Sequence, residues 1–121
     1  MTSISNRILR WQAAWQGANP DAVAALYTPT ATHASSGVKA RMPELGTAEL
    51  RGPDQIRAYA TLSFELVKNI RFEILGVTTQ GATDVVEYLR RSSIDTTGPK
   101  HVVEILEWNG DLLAAVRVFH F

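Results

Sequence analysis

An acidic residue within an apolar strand pattern is the first candidate for chemistry in this chain. Glu104 lies in the segment VVEILEW, where strand alternation places it on one face with Leu106 and Trp108. A carboxyl group in an apolar cavity has a raised pKa and can act as a general acid or base. On an exposed face, Glu104 would instead be a solvated residue or half of a structural ion pair. The sequence therefore predicts a catalytic role for Glu104 that depends on which face is buried.

His33 is the second candidate, because histidine titrates near neutral pH and is the natural general base in this sequence. It precedes Ser35 by two residues on the first predicted strand, so the two side chains share a face. A capping or surface histidine would have no chemical role. As a catalytic pair, His33 would be the base, and Glu104 would be the acid or would orient His33.

Two neighbouring arginines are candidates for binding a substrate oxygen or an anionic group. A shift of one residue in strand register exchanges which of Arg90 and Arg91 faces Glu104. An ion pair of Arg90 with Glu104 would hold the glutamate ionised and lower its pKa. A solvated surface arginine is the alternative.

His120, near the chain end, shares a strand face with Val116 and Val118. It is a candidate for ligand binding, with a place at the cavity rim or on a dimer surface as the alternative. The three histidines, His33, His101 and His120, show no compact metal-ligand spacing, so no metal site is predicted.

Aromatic side chains are abundant, and most must form the core that a domain of this size needs. Some should line a cavity and select an apolar or cyclic ligand. The aromatic residues that we assign to ligand binding are Trp11, Trp15, Tyr59 and Trp108.

The order of elements predicts an α+β fold, because helical patterns come first and an antiparallel meander follows. Asn19, Pro20 and Asp21 form a helix start, with Asn19 as the cap. The segment 36–51 is predicted as a loop with a short strand near 47–50, acting as a lid or as a plug. The predicted helices span 3–17, 19–28 and 52–67, and the predicted strands span 30–35, 70–79, 85–94, 102–108 and 112–121.

Composition excludes several classes of function. The 121 residues fit one domain, 1–121, and contain no cysteine, which excludes disulfides and thiol chemistry. The formal net charge is zero, so nucleic acid is not an expected partner. No apolar run is long enough to cross a bilayer and no signal peptide is evident, so a cytoplasmic protein without a membrane partner is expected. Phosphate-loop, dinucleotide, zinc-protease and nucleophile-elbow motifs are missing, and no cofactor is expected.

Three segments carry a family resemblance that covers nearly the whole chain. They are AWQGANPDAVAALYTPTATH, LRGPDQIRAYA and VVEILEWNGDLLAAVRVFHF. Together they resemble the SnoaL-like family of the nuclear transport factor 2-like superfamily, which includes ketosteroid isomerases, polyketide cyclases and limonene epoxide hydrolases. The resemblance implies a cone-shaped, curved antiparallel sheet wrapped around the N-terminal helices, a cystatin-like roll with a pocket. It also implies a homodimer formed through the outer sheet face.

The catalytic sets of these relatives are not carried over intact. The resemblance places the isomerase's aspartate base at Ser35, its oxyanion tyrosine at Trp11 and its protonated aspartate at Glu104. The Asp–Arg–Asp set of the epoxide hydrolase falls at Arg90, Tyr88 and Val118, so neither aspartate is present. The last strand, 116–121, contains no acid for a polyketide cyclase.

The resemblance also implies that Tyr88 and Arg90 face the pocket, where they would bind a substrate oxygen. We therefore predict a cofactor-independent acid–base enzyme, an isomerase, cyclase or hydratase, acting on an apolar carbonyl metabolite. One alternative is a ligand-binding domain without catalysis. The other is a structural dimerisation domain, whose cavity would be filled by Trp11, Trp15 and Trp108.

Overall fold

A six-stranded curved sheet is the frame of the molecule, and we describe residues 4–121 of a computed structural model. The sheet order is β2-β1-β6-β5-β4-β3, and β3 to β6 form a consecutive antiparallel meander. This α+β architecture with a curved sheet is the predicted one. The strands are β1 (Tyr27–Ala34), β2 (Glu49–Arg51), β3 (Arg71–Gln80), β4 (Thr83–Arg91), β5 (Lys100–Asn109) and β6 (Leu112–His120).

One strand pair departs from the predicted antiparallel pattern, because β1 runs parallel to β6. The register between them shifts between Tyr27 and Thr32, so the first half of β1 is irregular. Pro29 lies in this irregular stretch, where its missing N–H group breaks no ladder hydrogen bond. Residues 28–29, predicted to end a helix, therefore belong to a strand.

Four helices cover the inner side of the sheet. The first begins later than predicted, at Asn6 after Ser5, and Ser3, predicted as its cap, lies outside the described residues. Gln12 and Gln16 of this helix bond the backbone carbonyl and N–H groups of Phe72 at 2.8 Å each, which ties the helix to the edge strand β3. The helices are α1 (Asn6–Gln16), α2 (Pro20–Ala24), α3 (Ser36–Arg41) and α4 (Gly52–Leu66).

The start of α2 follows the sequence prediction. The side chain of Asn19 accepts hydrogen bonds from the N–H groups of Asp21 at 3.0 Å and Ala22 at 3.1 Å, and Pro20 occupies the first turn. Asn19→Ala is expected to lower the free energy of unfolding by about 1 kcal/mol, because two helix N–H groups lose their acceptor. Urea denaturation measures this, with Asn19→Asp, which keeps an acceptor, as the control. A loss in Asn19→Asp as large as in Asn19→Ala would contradict the capping role.

The segment 36–51 is more ordered than the predicted loop. It forms α3, a short 3₁₀ turn over Pro43–Leu45, and β2, which pairs with β1. Ser35 starts α3, because its hydroxyl accepts a hydrogen bond from the N–H group of Gly37 at 3.2 Å. This segment places the side chain of Arg41 beside the inner face of the sheet.

The core lies between the inner sheet face and the helices. On β4 and β5, the inward side chains alternate with outward ones, and Val86 and Leu106 are fully buried. Among residues 4–121, no helix is long and apolar enough to cross a membrane.

Candidate functional site

A cavity of about 80 Å³ lies between the inner sheet face and helices α1, α3 and α4. Aromatic and aliphatic side chains form much of its wall, and several polar groups point into the same space. Seven of the residues with predicted site roles line it: Trp15, His33, Tyr59, Tyr88, Arg90, Glu104 and His120.

Glu104 is buried in this cavity and is bonded to a tyrosine. It pairs with Val86 across the β4–β5 ladder, so Tyr88, two residues further along β4, is its diagonal neighbour on the inner face. The Tyr88 hydroxyl donates a hydrogen bond to Oε2 of Glu104. Burial raises the pKa of Glu104 from 4.5 to about 7, although the Tyr88 bond acts in the opposite direction.

His33 is buried on β1 and is bonded to a different tyrosine. Its Nδ1 atom lies 2.9 Å from the hydroxyl of Tyr27. Burial lowers the pKa of His33 from 6.5 to about 4, so the ring is neutral at pH 7. The Tyr27 hydroxyl has no other hydrogen-bond partner within residues 4–121. We therefore assign Tyr27 as the donor to Nδ1, which leaves the imidazole proton on Nε2.

The two arginines of β4 have separate roles. Arg90 lines the cavity and makes a bidentate pair with Asp95, with Nε–Oδ2 and Nη2–Oδ1 distances of 3.0 and 2.8 Å. Arg91 faces the other side, where it bonds Glu73. The predicted ion pair of Arg90 with Glu104 is not formed, because the guanidinium of Arg90 is bonded to Asp95 instead. A direct His33–Glu104 hydrogen bond is not formed either, since each of those residues bonds a tyrosine.

His120 lines the cavity at the end of β6. Its Nδ1 atom lies 3.2 Å from the hydroxyl of Ser36. Burial lowers the pKa of His120, and the positive charges of Arg90, Lys100 and Arg41 lower it further. This side of the cavity is therefore rich in cations.

Arg41 is a cavity residue that was not among the predicted site residues. Its guanidinium lies over the ring of Tyr59 at 5.7 Å and donates from Nη1 to the Tyr59 hydroxyl at 3.3 Å. Gly37, one helical turn earlier, leaves the room for this contact. A Cβ atom at position 37 would lie 2.4 Å from the Tyr59 hydroxyl and 2.6 Å from Nη1 of Arg41.

Two tryptophans expected in the cavity lie elsewhere, which corrects that expectation. Trp11 is completely buried behind the cavity wall, packed on Phe72 and Tyr88 with ring centroids 5.1 and 5.6 Å away. Trp108 is at the other end of the inner face, where its indole N–H donates to Asp84 at 3.0 Å. Both are large enough to be needed as core, and the hydrophobic pattern alone does not separate a core face from a cavity wall.

The described part of the chain contains no group of three or more His, Cys, Asp or Glu side chains placed to hold a metal ion. His101 is separated from the other two histidines, because it lies on the outer face of β5 and contacts Glu87 at 2.6 Å.

Arg41 and Tyr27 are the contributors that sequence reasoning missed. Arg41 lies in the segment predicted as a loop, although Ser35 and Gly37 are the residues that start its helix and make room for its side chain. Tyr27 was not among the aromatic residues assigned to ligand binding. Strand alternation could not link it to His33, because residue 27 lies in the predicted helix 19–28 and the register of β1 shifts between Tyr27 and Thr32.

Comparisons with known proteins agree with this fold. The SnoaL-like domain model matches residues 8–118. A protein from Catenulispora acidiphila with a ketosteroid isomerase-like fold, solved in complex with trimethylamine, is similar at a TM-score of 0.78 and 18% identity, over 97% of this chain and 86% of that one. A putative polyketide cyclase from Sinorhizobium meliloti has a TM-score of 0.77 and 14% identity over 96% and 95% of the two chains.

An LEH-like epoxide hydrolase from M. tuberculosis has a TM-score of 0.72 and 15% identity. The similarity covers 95% of this chain and 80% of that one. At these identities the similarity shows the fold alone. No curated protein matches the chain.

Proposed function

We propose, from the premise that this chain belongs to the SnoaL-like family, that it is a cofactor-independent acid–base enzyme acting on a small carbonyl compound. The family includes isomerases, cyclases and epoxide hydrolases, so membership by itself leaves the reaction open. The observation that carries the proposal is the buried Glu104 with a pKa of about 7, inside a cavity that also contains neutral His33.

Glu104 is the proton-transfer group in this proposal. A carboxyl group with a pKa of about 7 populates both protonation states at neutral pH, which suits a general base that must also return the proton. The Tyr88 hydroxyl bonds one carboxyl oxygen, Oε2, and so fixes the orientation of the group. The other oxygen, Oε1, has no hydrogen-bond partner among the described residues and is available to a substrate.

His33 takes a different role from the base predicted from sequence. With a pKa of about 4, it is a weak base and stays neutral at pH 7. With Nδ1 bonded to Tyr27, its Nε2–H group is a donor for a substrate oxygen. A neutral imidazole that polarises a carbonyl group is an established catalytic device.

The chemistry follows from these two groups. The Glu104 carboxylate removes a proton from the carbon next to the carbonyl group. The electron pair of that C–H bond forms a C=C bond, and the π pair of the carbonyl group moves onto its oxygen. His33 stabilises the resulting enolate through Nε2–H. Return of the same proton to another carbon of a conjugated substrate gives isomerisation. In cyclisation the enolate carbon instead attacks a second carbonyl of the same substrate, whose π pair moves onto its oxygen, and that alkoxide takes the proton from Glu104.

Hydrogen exchange tests the proposal without knowledge of the final product. A panel of small cyclic ketones and keto acids is incubated with the protein in D₂O, and loss of the α-hydrogen signal is followed by NMR. We expect exchange of at least one panel member, and a drop of about 100-fold or more in the exchange rate of Glu104→Gln because the base is removed.

The exchange rate should rise with pH through about 7 as Glu104 ionises. Tyr88→Phe should move that rise to higher pH, because the Tyr88 bond lowers the pKa of Glu104.

Glu107→Gln is the matched control, because Glu107 is on the same strand with a side chain that is 46% exposed. It is expected to exchange at the wild-type rate. Wild-type activity in Glu104→Gln, or no exchange of any panel compound, would contradict the proposal.

Ligand binding without catalysis is the second candidate. It is favoured by the absence, at the positions implied by the resemblance, of the isomerase base and both epoxide hydrolase aspartates, where Ser35, Arg90 and Val118 stand. The structural dimerisation alternative is less well supported, since it requires Trp11, Trp15 and Trp108 to fill the cavity. Trp15 lines an open cavity, and Trp108 lies away from it.

A further inference from the structure

The guanidinium of Arg41 is a cavity cation without an acidic partner. Of the two arginines that line the cavity, Arg90 is neutralised by its bidentate pair with Asp95. Arg41 forms no salt bridge within residues 4–121, and its Nε atom is buried without a hydrogen-bond acceptor. A charged group that borders a cavity and has no acidic partner is costly, so the guanidinium is suited to an anionic acceptor that a ligand brings.

The surroundings of Arg41 leave its charge uncompensated. His120 is nearby, and its lowered pKa keeps the ring neutral near pH 7, so it neither balances the charge of Arg41 nor adds to it. Lys100 adds a positive charge near His120 but does not line the cavity, so Arg41 is the unbalanced cation of the cavity wall. Glu104 is the acid that lines the cavity, and burial keeps it largely protonated below a pH of about 7. A ligand carrying one negative charge would balance the cavity.

The position of Arg41 is fixed before any ligand arrives. Its guanidinium lies over the ring of Tyr59 and bonds the Tyr59 hydroxyl through Nη1. The Nη2 group has no hydrogen-bond partner within residues 4–121 and is left for another acceptor. The absence of a side chain at Gly37 permits this packing. A group held in place in this way loses little conformational entropy when it binds an anion.

We propose that Arg41 binds the carboxylate group of a small ligand, whose apolar part lies against Trp15 and Phe72. A carboxylate matches the planar donor edge of a guanidinium, and its single negative charge balances the positive charge of Arg41. The apolar part has an aromatic wall to contact. This inference deepens the proposed function and rests on it, because it narrows the substrate class to carbonyl compounds that also carry a carboxylate.

Binding of benzoate and benzamide tests the inference, because the two probes have nearly the same shape and differ in charge. Affinities are measured by NMR titration at about pH 6, where benzoate is ionised and Glu104 is largely protonated. Wild-type protein is expected to bind benzoate at millimolar concentrations, about 10-fold or more tighter than benzamide. Arg41→Gln is expected to lose this preference.

Two further variants separate the position of Arg41 from net charge. Lys39→Gln removes one positive charge from an exposed position on the same helix and should keep the wild-type preference. Gly37→Ala keeps the charge of Arg41 but displaces its guanidinium, and it should weaken benzoate binding without weakening benzamide binding. Equal binding of the two probes, no benzoate binding, or equal losses in Arg41→Gln and Lys39→Gln would overturn the inference.

Glu104→Gln distinguishes failure of this inference from failure of the proposed enzyme. It should abolish hydrogen exchange yet keep the preference for benzoate, because Glu104 is not the carboxylate-binding group. A protein that prefers benzoate through Arg41 but exchanges no substrate hydrogen would be a carboxylate-binding protein. A protein that exchanges hydrogen but does not prefer benzoate would be an enzyme for neutral carbonyl compounds.

Discussion

Glu104→Gln and His33→Gln are expected to give proteins whose stabilities depend on pH in opposite directions. Both wild-type side chains are buried and neutral at mildly acidic pH, and each has a pKa displaced from its ordinary value by burial. Each substitution removes one titrating group, so the stability of each variant reports the pH dependence that the remaining group causes. The expected change in unfolding free energy with pH is on the order of 3 kcal/mol in either variant.

The sign for Glu104 follows from its raised pKa. The unfolded chain ionises this carboxyl above its ordinary value of 4.5, whereas the folded protein ionises it only near 7. Its favourable contribution is therefore fully present below pH 4.5 and is lost as the pH rises through about 7. His33→Gln, which keeps only Glu104, should become less stable over this window as the pH increases.

The sign for His33 is the reverse, because its pKa is lowered. The unfolded chain protonates this ring below 6.5, whereas the folded protein resists protonation until about pH 4. Its contribution is therefore fully present above pH 6.5 and is lost as the pH falls through about 4. Glu104→Gln, which keeps only His33, should become more stable as the pH increases over this window.

In the wild-type protein the two effects nearly cancel. Between pH 4.5 and 6.5, unfolding releases a proton from Glu104 and takes one up on His33, so their net proton uptake is close to zero. Urea denaturation at several pH values across this range measures the slopes, and the double variant should recover a slope close to that of the wild type. Parallel slopes in the two single variants would contradict the buried, neutral state of one of these groups.

The sequence predicts the fold better than it predicts the site, and the strands show why. Alternation along β5 depends only on the chain itself, so it placed Glu104, Leu106 and Trp108 on one face, and the structure buries all three. Whether a buried position borders core or cavity depends on elements distant in sequence. Trp15 and Trp108 illustrate this, because both are aromatic residues on inner faces, yet only Trp15 lines the cavity.

Pairing of the polar residues was the least predictable feature. The sequence left Arg90 and Arg91 interchangeable and offered Glu104 as the acidic partner of Arg90. The structure instead pairs Arg90 with Asp95, from the turn that follows β4. An arginine pairs with the nearest well-oriented carboxylate. Which carboxylate that is depends here on a turn conformation that strand periodicity does not determine.

Asp84 is outside the cavity and is expected to matter for stability alone. Its carboxylate is 1% exposed and joins three elements of the fold. It accepts hydrogen bonds from Arg7 Nε at 2.8 Å and Nη2 at 3.0 Å, from the Thr79 hydroxyl at 2.6 Å and from the Trp108 indole at 3.0 Å. Burial acts to raise the pKa of Asp84, but these donors outweigh it and hold the pKa below its ordinary value.

Asp84→Ala is expected to lower the free energy of unfolding by about 3–5 kcal/mol, because it leaves Arg7 and the buried indole of Trp108 without their acceptor. Urea denaturation near neutral pH measures the loss, and Asp111→Ala, at an exposed turn residue, should stay within about 0.5 kcal/mol of the wild type. The loss should shrink as the pH falls below 3.8, because the unfolded chain then protonates Asp84 while the folded protein holds the carboxylate ionised to a lower pH.

The double variant Arg7→Met/Asp84→Ala tests the assignment further. It should be less destabilised than the sum of its single variants, because the two residues are coupled and the double change leaves no unpaired charge. Additive losses, or an Asp84→Ala protein as stable as Asp111→Ala, would show that this network does not hold α1 against the sheet. Since Asp84 does not line the cavity, a folded Asp84→Ala protein should still prefer benzoate to benzamide. That result would separate the residues that hold the fold together from those that hold a ligand.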